Sequence, residues 1–541
     1  MCGLVAYVNP RVSMDSAQNM FRMSKARGPD DSCFHVVNSA FWLGFHRLAI
    51  NGVKDSYANQ PLSLGGLILV CNGEIYNSKE LYHKMGVVPY SGSDCEVILH
   101  LFERYGIEQT VHMIDASEFA FVLYDTVRNH VYAARDPFGV RPLYMGFQKD
   151  MTMFSSELKM ISYPETAYQS FQPGNIMTLE NGEWSTKTYY SLPSIQWGMG
   201  IDAIALIQKT LYDAVMQRVK NTERPIACLL SGGLDSSIIT ALVVKCRREL
   251  GYTDKLETFS IGMDGGEDLR YASIVAQHLD TRHTTVLNDE DAFFEAIPEV
   301  IYHIESYDTT TVRASVGNFL VARYISRMSD AKVIFNGDGA DEVAGGYLYF
   351  RAAPDVIAAD GECRRLLKDV HCFDALRSDR SIASNGLEAR TPFLDRAFVQ
   401  AYMSIPPEAR FPQGAQEKQL LRVAFGHLLP PQIATRTKEA FSDGVSAVKR
   451  SWFQIVQEKL SPEIRNEFKN YQWARKQWTN PPTTAEQYYY RHIYNQHYMD
   501  AANTIPYFWM PRFVSASDAS ARTLKGIYLD PPQHTNEKCS V

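Results

Sequence analysis

The sequence predicts two domains of different fold class: an α+β domain, then an α/β domain built on a parallel sheet with helices on both faces. Three observations predict this. The first third is made of short β-rich runs separated by turns, with few helical patterns. Beyond about residue 200 the pattern changes to alternating strands and helices, the signature of a parallel sheet covered by helices. Between the two lies Ser191-Leu-Pro-Ser-Ile-Gln-Trp-Gly-Met-Gly200, which breaks regular structure.

The elements follow in order. Leu67 to Cys71, Phe119 to Tyr124 and His130 to Ala134 are strands bounded by Gly, Asn or Asp, and Ser13 to Lys25 and Asp94 to Tyr105 are helices. In the second part the strands are Ile226 to Leu230, Leu256 to Gly262 and Val333 to Phe335. The helices are Ile238 to Cys246, Leu269 to Leu279 and Arg313 to Arg327. After Gly386 the pattern is mostly helical and rich in aromatics, and no internal repeat is visible. Residues 525–541 read as a disordered tail.

Composition bounds the function. A length of 541 residues fits two to four domains, and 45% hydrophobic with 21% charged residues is that of a soluble globular protein. A net charge of −7 speaks against a nucleic-acid surface. The nine cysteines are dispersed and include no Cys-x-x-Cys pair, which favours reduced thiols over a disulfide frame or a zinc site. No apolar run reaches membrane-spanning length, and no signal-peptide pattern opens the chain, so a cytoplasmic protein without membrane or nucleic-acid partners is expected.

Several motifs carry chemistry. Cys2 becomes N-terminal if Met1 is removed, and its α-amine, with a pKa near 7.7–8.0, can take the thiol proton. Ser231-Gly-Gly-Leu-Asp-Ser-Ser237 follows a buried strand and opens a helix. Its glycines admit close backbone approach, its helix start favours an anion, and Asp235 can hold a metal against phosphate oxygens. The loop lacks the Gly-Lys-Ser/Thr of a Walker motif and is similar to the pyrophosphatase loop of adenylate-forming ligases. Asn336-Gly-Asp-Gly-Ala-Asp-Glu342 places Asp338, Asp341 and Glu342 at the carboxyl end of the sheet, where a cation or an amine must offset their repulsion. Arg390 and Lys438 are the later basic partners. Asn72-Gly-Glu-Ile-Tyr-Asn77 reads by itself as a turn, though Asn72 and the Gly73 N–H can form an oxyanion hole. Arg47 and Asp94 can together read an α-carboxylate and an α-amine.

These motifs, with Arg27-Gly-Pro-Asp30, Gly44-Phe-His-Arg-Leu48, Ser93-Asp-Cys-Glu96, Arg135-Asp-Pro-Phe-Gly139, Thr310-Thr-Val-Arg-Ala-Ser315, Gly386-Leu-Glu-Ala-Arg390, Lys438-Glu-Ala-Phe-Ser-Asp-Gly444 and Trp509-Met-Pro-Arg512, run through both halves. The chain resembles glutamine-hydrolysing asparagine synthetases of the eukaryotic type, from Cys2 to about Leu524. The resemblance implies a class II glutamine amidotransferase domain at 1–195, with two antiparallel sheets between helices (an αββα sandwich). An ATP pyrophosphatase domain at 196–524 would follow. It implies asparagine synthesis from aspartate, glutamine and ATP through a β-aspartyl adenylate, with ammonia passing internally between the sites.

The implied roles are as follows. Cys2 is the nucleophile, Asn72 and Gly73 the oxyanion hole, and Arg47, Leu48, Ile50, Asn72, Gly73, Glu74 and Asp94 the glutamine site. Leu230, the loop Ser231, Gly232, Gly233, Leu234, Asp235, Ser236 and Ser237, then Ile261, Asn336, Gly337 and Lys438 meet ATP. Asp235 and Asp341 hold Mg²⁺. Thr310, Thr311, Arg313, Glu342, Asp374 and Arg377 handle aspartate, and Asp338 is catalytic. The partners are small molecules, and a homodimer is compatible with the family.

Four departures stand out. Asp338 replaces the family's glutamate, with Asn336 replacing a serine; Ala26 replaces a histidine; Ala116-Ser-Glu118 replaces a glycine-containing pair; and Ala344 replaces a bulkier residue. Two other readings remain open: a β-lactam-forming relative, which would typically lack the N-terminal cysteine, and a catalytically silent regulatory homologue.

Overall fold

The computed structural model describes residues 1–114, 117–196, 202–447, 449–471 and 478–524; the tail expected at 525–541 lies outside the described residues. The first half holds two six-stranded sheets. One runs Ala167–Ser170, Tyr144–Gln148, Met151–Ser155, Gly3–Val8, Phe41–Arg47, Asp31–Asn38, and the other Glu183–Thr188, Asn175–Glu180, His130–Arg135, Glu118–Asp125, Leu67–Glu74, Leu62–Leu64. Neighbouring strands in both are antiparallel.

Side-chain alternation explains the layering. Gly3–Val8 and Glu118–Asp125 are buried at every position, so both faces of each strand are covered. Leu4, Ala6 and Val8 point to the same core as Val70, Ala120 and Val122, which joins the sheets face to face. Val5 and Tyr7 point the other way, toward Ala17 and Phe21 of the helix Met14–Arg22. On the far sheet Leu69, Cys71, Phe119 and Phe121 pack against the helix Val97–Met113. The result is the expected helix–sheet–sheet–helix stack. The first predicted helix ends at Arg22 and continues as a tight 3₁₀ turn at Lys25–Arg27.

The second half is built on a five-stranded parallel sheet in the order Arg282–Leu287, Glu257–Gly262, Ile226–Leu229, Val333–Phe335, Glu388–Arg390. The chain enters at the central strand Ile226–Leu229, builds outward on one side, then on the other. The end of that strand is therefore the switch point where ligands bind in open α/β sheets. The strand Glu388–Arg390 lies in a region read from sequence as helical. Three residues are too few to show a period, and their charged ends look like surface residues; the structure buries both and pairs Arg390 with Glu388 at 2.8 Å.

Buried ion pairs join the halves. Arg27 meets Asp379 at 2.7 Å and Glu157 at 3.5 Å; Lys159 meets Glu157 at 3.0 Å and Glu305 at 3.2 Å; Glu118 meets Arg141 at 2.9 Å and Arg218 at 3.0 Å. Glu305 also accepts the backbone N–H groups of Leu158 and Lys159 and pairs with Arg380. Glu305→Gln should therefore destabilise the protein by about 3–5 kcal/mol, because it removes the closest carboxylate of Arg380 and one of the two of Lys159, leaving excess positive charge in a dry interface. Equilibrium denaturation measures this; a loss below about 1 kcal/mol, the size of a surface pair, would refute the role given to Glu305.

Candidate active sites

Cys2 lies in the first strand's approach, beside the end of the strand Leu67–Glu74. Its backbone N–H donates to Asn72 Oδ1 at 3.0 Å, and its Sγ lies 3.4 Å from the Leu48 N–H. Burial pushes the thiol pKa up, and the nearby N-terminal amine pulls it down. Asn72 is 1% exposed, and its Nδ2 is buried with no hydrogen-bond partner among the described residues. An unmatched buried donor beside a thiol is what an oxyanion would satisfy. Gly73 admits no side chain: a Cβ there would lie 2.6 Å from the Glu118 carbonyl oxygen.

The residues expected to bind glutamine have distinct partners. Both Nη nitrogens of Arg47 are engaged by the loop at 51–59, through Asn51 O at 2.9 Å, Gly52 O at 2.8 Å and the Asn59 side chain. Arg47 thus holds the 51–59 loop in place. Glu74 accepts from Asn51 at 2.7 Å and from Asn221 of the second half at 2.9 Å, and Asp94 accepts the Ile75 N–H at 2.6 Å. Burial raises the pKa of both acids. Leu48 touches the thiol, and the Ile50 carbonyl accepts the Glu223 N–H at 3.0 Å.

The second cavity opens at the switch point. Leu230, Ser231, Gly233, Leu234, Asp235 and Ser236 line it from one side, with Ile261 beside them. Asn336, Gly337, Asp338 and Asp341 face them across it. The helix Leu234–Glu249 starts inside the loop, with Gly233 as its N-cap, so its free N–H groups point into the cavity. Gly232 and Ser237 serve the loop itself and are not on the cavity wall. Gly232 has φ +72° and a Cβ there would strike Ala272 N at 2.3 Å, while Ser237 donates to Gly233 O at 2.6 Å. Lys438 reaches Asp341. Burial alone would raise the Asp341 pKa, but Lys418 and Lys438 hold it at about 2.

The aspartate-site residues divide. Thr310 and Asp374 line both this cavity and a small adjoining one, which Thr311 and Glu342 also line; Arg377 faces the main cavity. Arg313 is brought to neither. Its guanidinium is buried against Glu486 at 2.6–2.7 Å and Asp518 at 2.7–2.8 Å, and it ties later segments to the helix Thr309–Met328. The sequence placed it by its neighbours in the motif, and Thr310 and Arg313 do lie on neighbouring positions of one helix face, but the long arginine side chain is drawn away to Glu486 and Asp518.

Three residues were missed as site members. Arg27 donates to the Cys2 carbonyl at 2.8 Å, a contact that only its place in Arg27-Gly-Pro-Asp30 hints at. Tyr347 donates to Glu342 at 2.6 Å in the cavity wall. Lys418 bridges Asp235 and Asp341, and nothing in the local sequence marks it.

A family model described as glutamine amidotransferase domain matches residues 1–185, and one described as asparagine synthase matches 206–362 and 357–511. The chain is 39% identical over 561 residues to a protein of Gallus gallus named "Asparagine synthetase [glutamine-hydrolyzing]", covering 97% of this chain and 99% of that one. It is 39% identical over 557 residues to the Homo sapiens protein of the same name, covering 97% and 98%. The chain belongs to the glutamine-hydrolysing asparagine synthetase family. The departures from this family's pattern sit in defined surroundings. Ala26 is exposed in the turn Lys25–Arg27, and Ala344 is in the apolar core. Ala116 lies outside the described residues, while Glu118 opens a buried strand.

Asp338 is the departure nearest the chemistry. Its Oδ1 accepts Arg377 Nη2 at 2.8 Å, and its Oδ2 is buried without a hydrogen-bond partner among the described residues. Asn336 bridges the Asp338 N–H at 3.3 Å and Ser378 at 2.6 Å, so the carboxamide anchors the loop across a span that serine's shorter side chain would not bridge. The flanking glycines leave no slack: a Cβ at Gly339 would strike Leu394 at 2.5 Å, and one at Gly337 would strike Ser236 N at 2.8 Å. The loop is thus held tightly around the shorter acid, with little room for one more methylene. Asp338→Glu should therefore leave asparagine synthesis unchanged or lower it, and Asp338→Ala should nearly abolish it. Initial rates of ammonia-dependent synthesis check both; a gain with Glu, or a normal rate with Ala, would contradict this account.

Proposed function

We propose that this chain makes L-asparagine from L-aspartate, L-glutamine and ATP, releasing L-glutamate, AMP and pyrophosphate. The observation that carries the reading is the pairing, in one chain, of a thiol beside an unmatched Asn72 donor with a phosphate-type loop facing an acid-and-lysine cavity. We place the glutaminase domain at 1–195 and the synthetase domain at 196–524. The eight described cysteines are all unpaired, which supports a reducing, cytoplasmic setting. Among the described residues no helix is long and apolar enough to cross a membrane.

In the first half-reaction Met1 must be gone. Met1 is buried between Cys2 and the second half, its amine 3.9 Å from Glu388 and its side chain against Arg141. Its removal frees the Cys2 amine to take the thiol proton. The thiolate attacks the glutamine amide carbon, and the Asn72 Nδ2–H₂ and the Gly73 N–H receive the oxyanion. The tetrahedral adduct collapses with expulsion of ammonia, which takes its proton back from the amine, and water later releases glutamate from the thioester. The space that Met1 vacates lies toward Glu388 and Leu387, which supports internal passage of ammonia to the synthetase half.

In the second half-reaction the aspartate β-carboxylate attacks the α-phosphorus of ATP and pyrophosphate leaves. Ammonia then attacks the acyl carbon and AMP leaves. We assign the part of the cavity lined by Thr310, Asp374 and Arg377 to aspartate, and assign Asp338, held by Arg377, to the side of its β-carboxylate. The loop from Ser231 to Ser236 and Lys438 hold the phosphates. The residues fit a Mg²⁺ ion: Asp235 Oδ1 is a buried carboxylate oxygen with no hydrogen-bond partner among the described residues, and two carboxylates plus phosphate oxygens are a usual Mg²⁺ donor set. Bound between Asp235 and Asp341, the ion would offset phosphate charge.

Cys2→Ala should abolish glutamine-dependent synthesis and leave ammonia-dependent synthesis largely intact, and blocking Met1 removal should do the same. Parallel loss of both activities would overturn the division of labour. Asp235→Asn should stop aspartate-dependent pyrophosphate release while glutamine hydrolysis persists. Pyrophosphate release at the parent rate in that variant would remove Asp235 from the ATP site.

A further inference from the structure

Lys418 occupies the position between the two carboxylates assigned to the metal. Its Nζ lies 2.5 Å from Asp235 Oδ2 and 2.6 Å from Asp341 Oδ1, and its side chain is 1% exposed. Two features show that this placement is built in. Lys418 takes φ +59°, the left-handed region that a residue with a Cβ seldom enters. Its stem runs over Gly346, where a Cβ would lie 1.9 Å from the Lys418 Cε and 2.2 Å from Asp341 Oδ1. Gly346 is thus a gap in the wall that lets the lysine through.

The charges balance. Asp235 and Asp341 face Lys418 and Lys438, two acids against two ammonium groups. A bare divalent cation entering between the acids would meet a neutralised site and displace an ammonium, while the neighbouring acid Glu417 is already paired with Arg422 at 2.8 Å and Arg351 at 3.0 Å. A cation that arrives with a polyphosphate brings an anion for that ammonium. Lys418 also has room to withdraw. It forms part of the wall of a second cleft of about 980 Å³, with Phe350, Phe411, Gln413 and Gln416.

We propose that Lys418 is a resident counter-ion that holds the Asp235–Asp341 pair closed to free divalent cations and yields the position only to a cation bound to ATP, its ammonium then turning to the phosphates. This makes metal and nucleotide binding strongly cooperative through one side chain. The proposal rests on the reading of Asp235 and Asp341 as metal ligands.

The test is Mn²⁺ binding to the full-length protein, read by electron paramagnetic resonance. The parent should bind no Mn²⁺ at this site without nucleotide and should bind it with a non-hydrolysable ATP analogue. Lys418→Met keeps the stem and removes the charge, so it should bind Mn²⁺ without nucleotide at least about tenfold more tightly than the parent, given one unit charge removed within a few ångströms. Lys418→Arg should behave as the parent, and adding Asp341→Asn to Lys418→Met should erase the gain. A parent that binds Mn²⁺ tightly without nucleotide overturns the proposal, and this holds even if circular dichroism shows that Lys418→Met fails to fold. A folded Lys418→Met that gains nothing overturns the lysine's role alone. A parent that takes no Mn²⁺ even with the analogue overturns the metal assignment, and the proposal with it.

Discussion

Charge buried between the two halves must be neutralised inside the fold, and much of the molecule's geometry follows from this. Arg27, Glu157 and Lys159 of the first half interlock with Asp379, Arg380 and Glu305 of the second, all nearly without solvent contact. Breaking one member leaves an uncompensated charge, so the lattice tolerates little relative movement. Arg27 uses its remaining donor on the Cys2 carbonyl at 2.8 Å. Asp379 sits on the helix Asp374–Ala383, which also sends Arg377 to Asp338 and Ser378 to Asn336. One set of ion pairs therefore fixes the nucleophile's backbone on one side and the acidic loop on the other.

Much of this was legible in the sequence where local chemistry is strong. The Ser231 to Ser237 loop lies where a strand ends and a helix begins, and the structure starts that helix at Leu234 within the loop. Asn72 and Cys2 are far apart in sequence, and only the family pattern paired them; the structure brings them to 3.0 Å. The least legible features are long-range charge pairs. Lys418 lies 183 positions from Asp235, and an isolated lysine carries no local signal of burial. The strand Glu388–Arg390 was hidden for a different reason: three residues show no period, and its charged ends look like surface residues although both are buried.

Motif membership and site membership also separate. Arg313 and Thr310 belong to one sequence motif, yet Thr310 faces the cavity while Arg313 pins Glu486 and Asp518. The arginine's contribution is to hold later segments against the helix that presents Thr310. Arg47 is similar: expected to hold glutamine, it has both Nη nitrogens on the 51–59 loop and holds that loop in place. In both cases a guanidinium with five fixed donors orders several groups at once, two carboxylates for Arg313 and mainly backbone carbonyls for Arg47, which a lysine would not do.

The same burial that demands ion pairs also tunes the glutaminase chemistry. The N-terminal amine is fully enclosed at the domain interface, and desolvation lowers its pKa, with Glu388 acting against this. A buried amine gives up its proton more readily than a free one, and an unprotonated amine is what a base needs to be. Removal of Met1 places the new amine one residue along the same buried segment, beside the Cys2 thiol, whose own pKa burial has raised. Burial disfavours the charged form of an amine and of a thiol alike, so this segment favours a neutral amine beside a neutral thiol. The Asn72 donor, unmatched in the resting site, then favours negative charge only on the tetrahedral adduct. Attack is thereby tied to glutamine binding, and the resting thiol is held in its less reactive, protonated form.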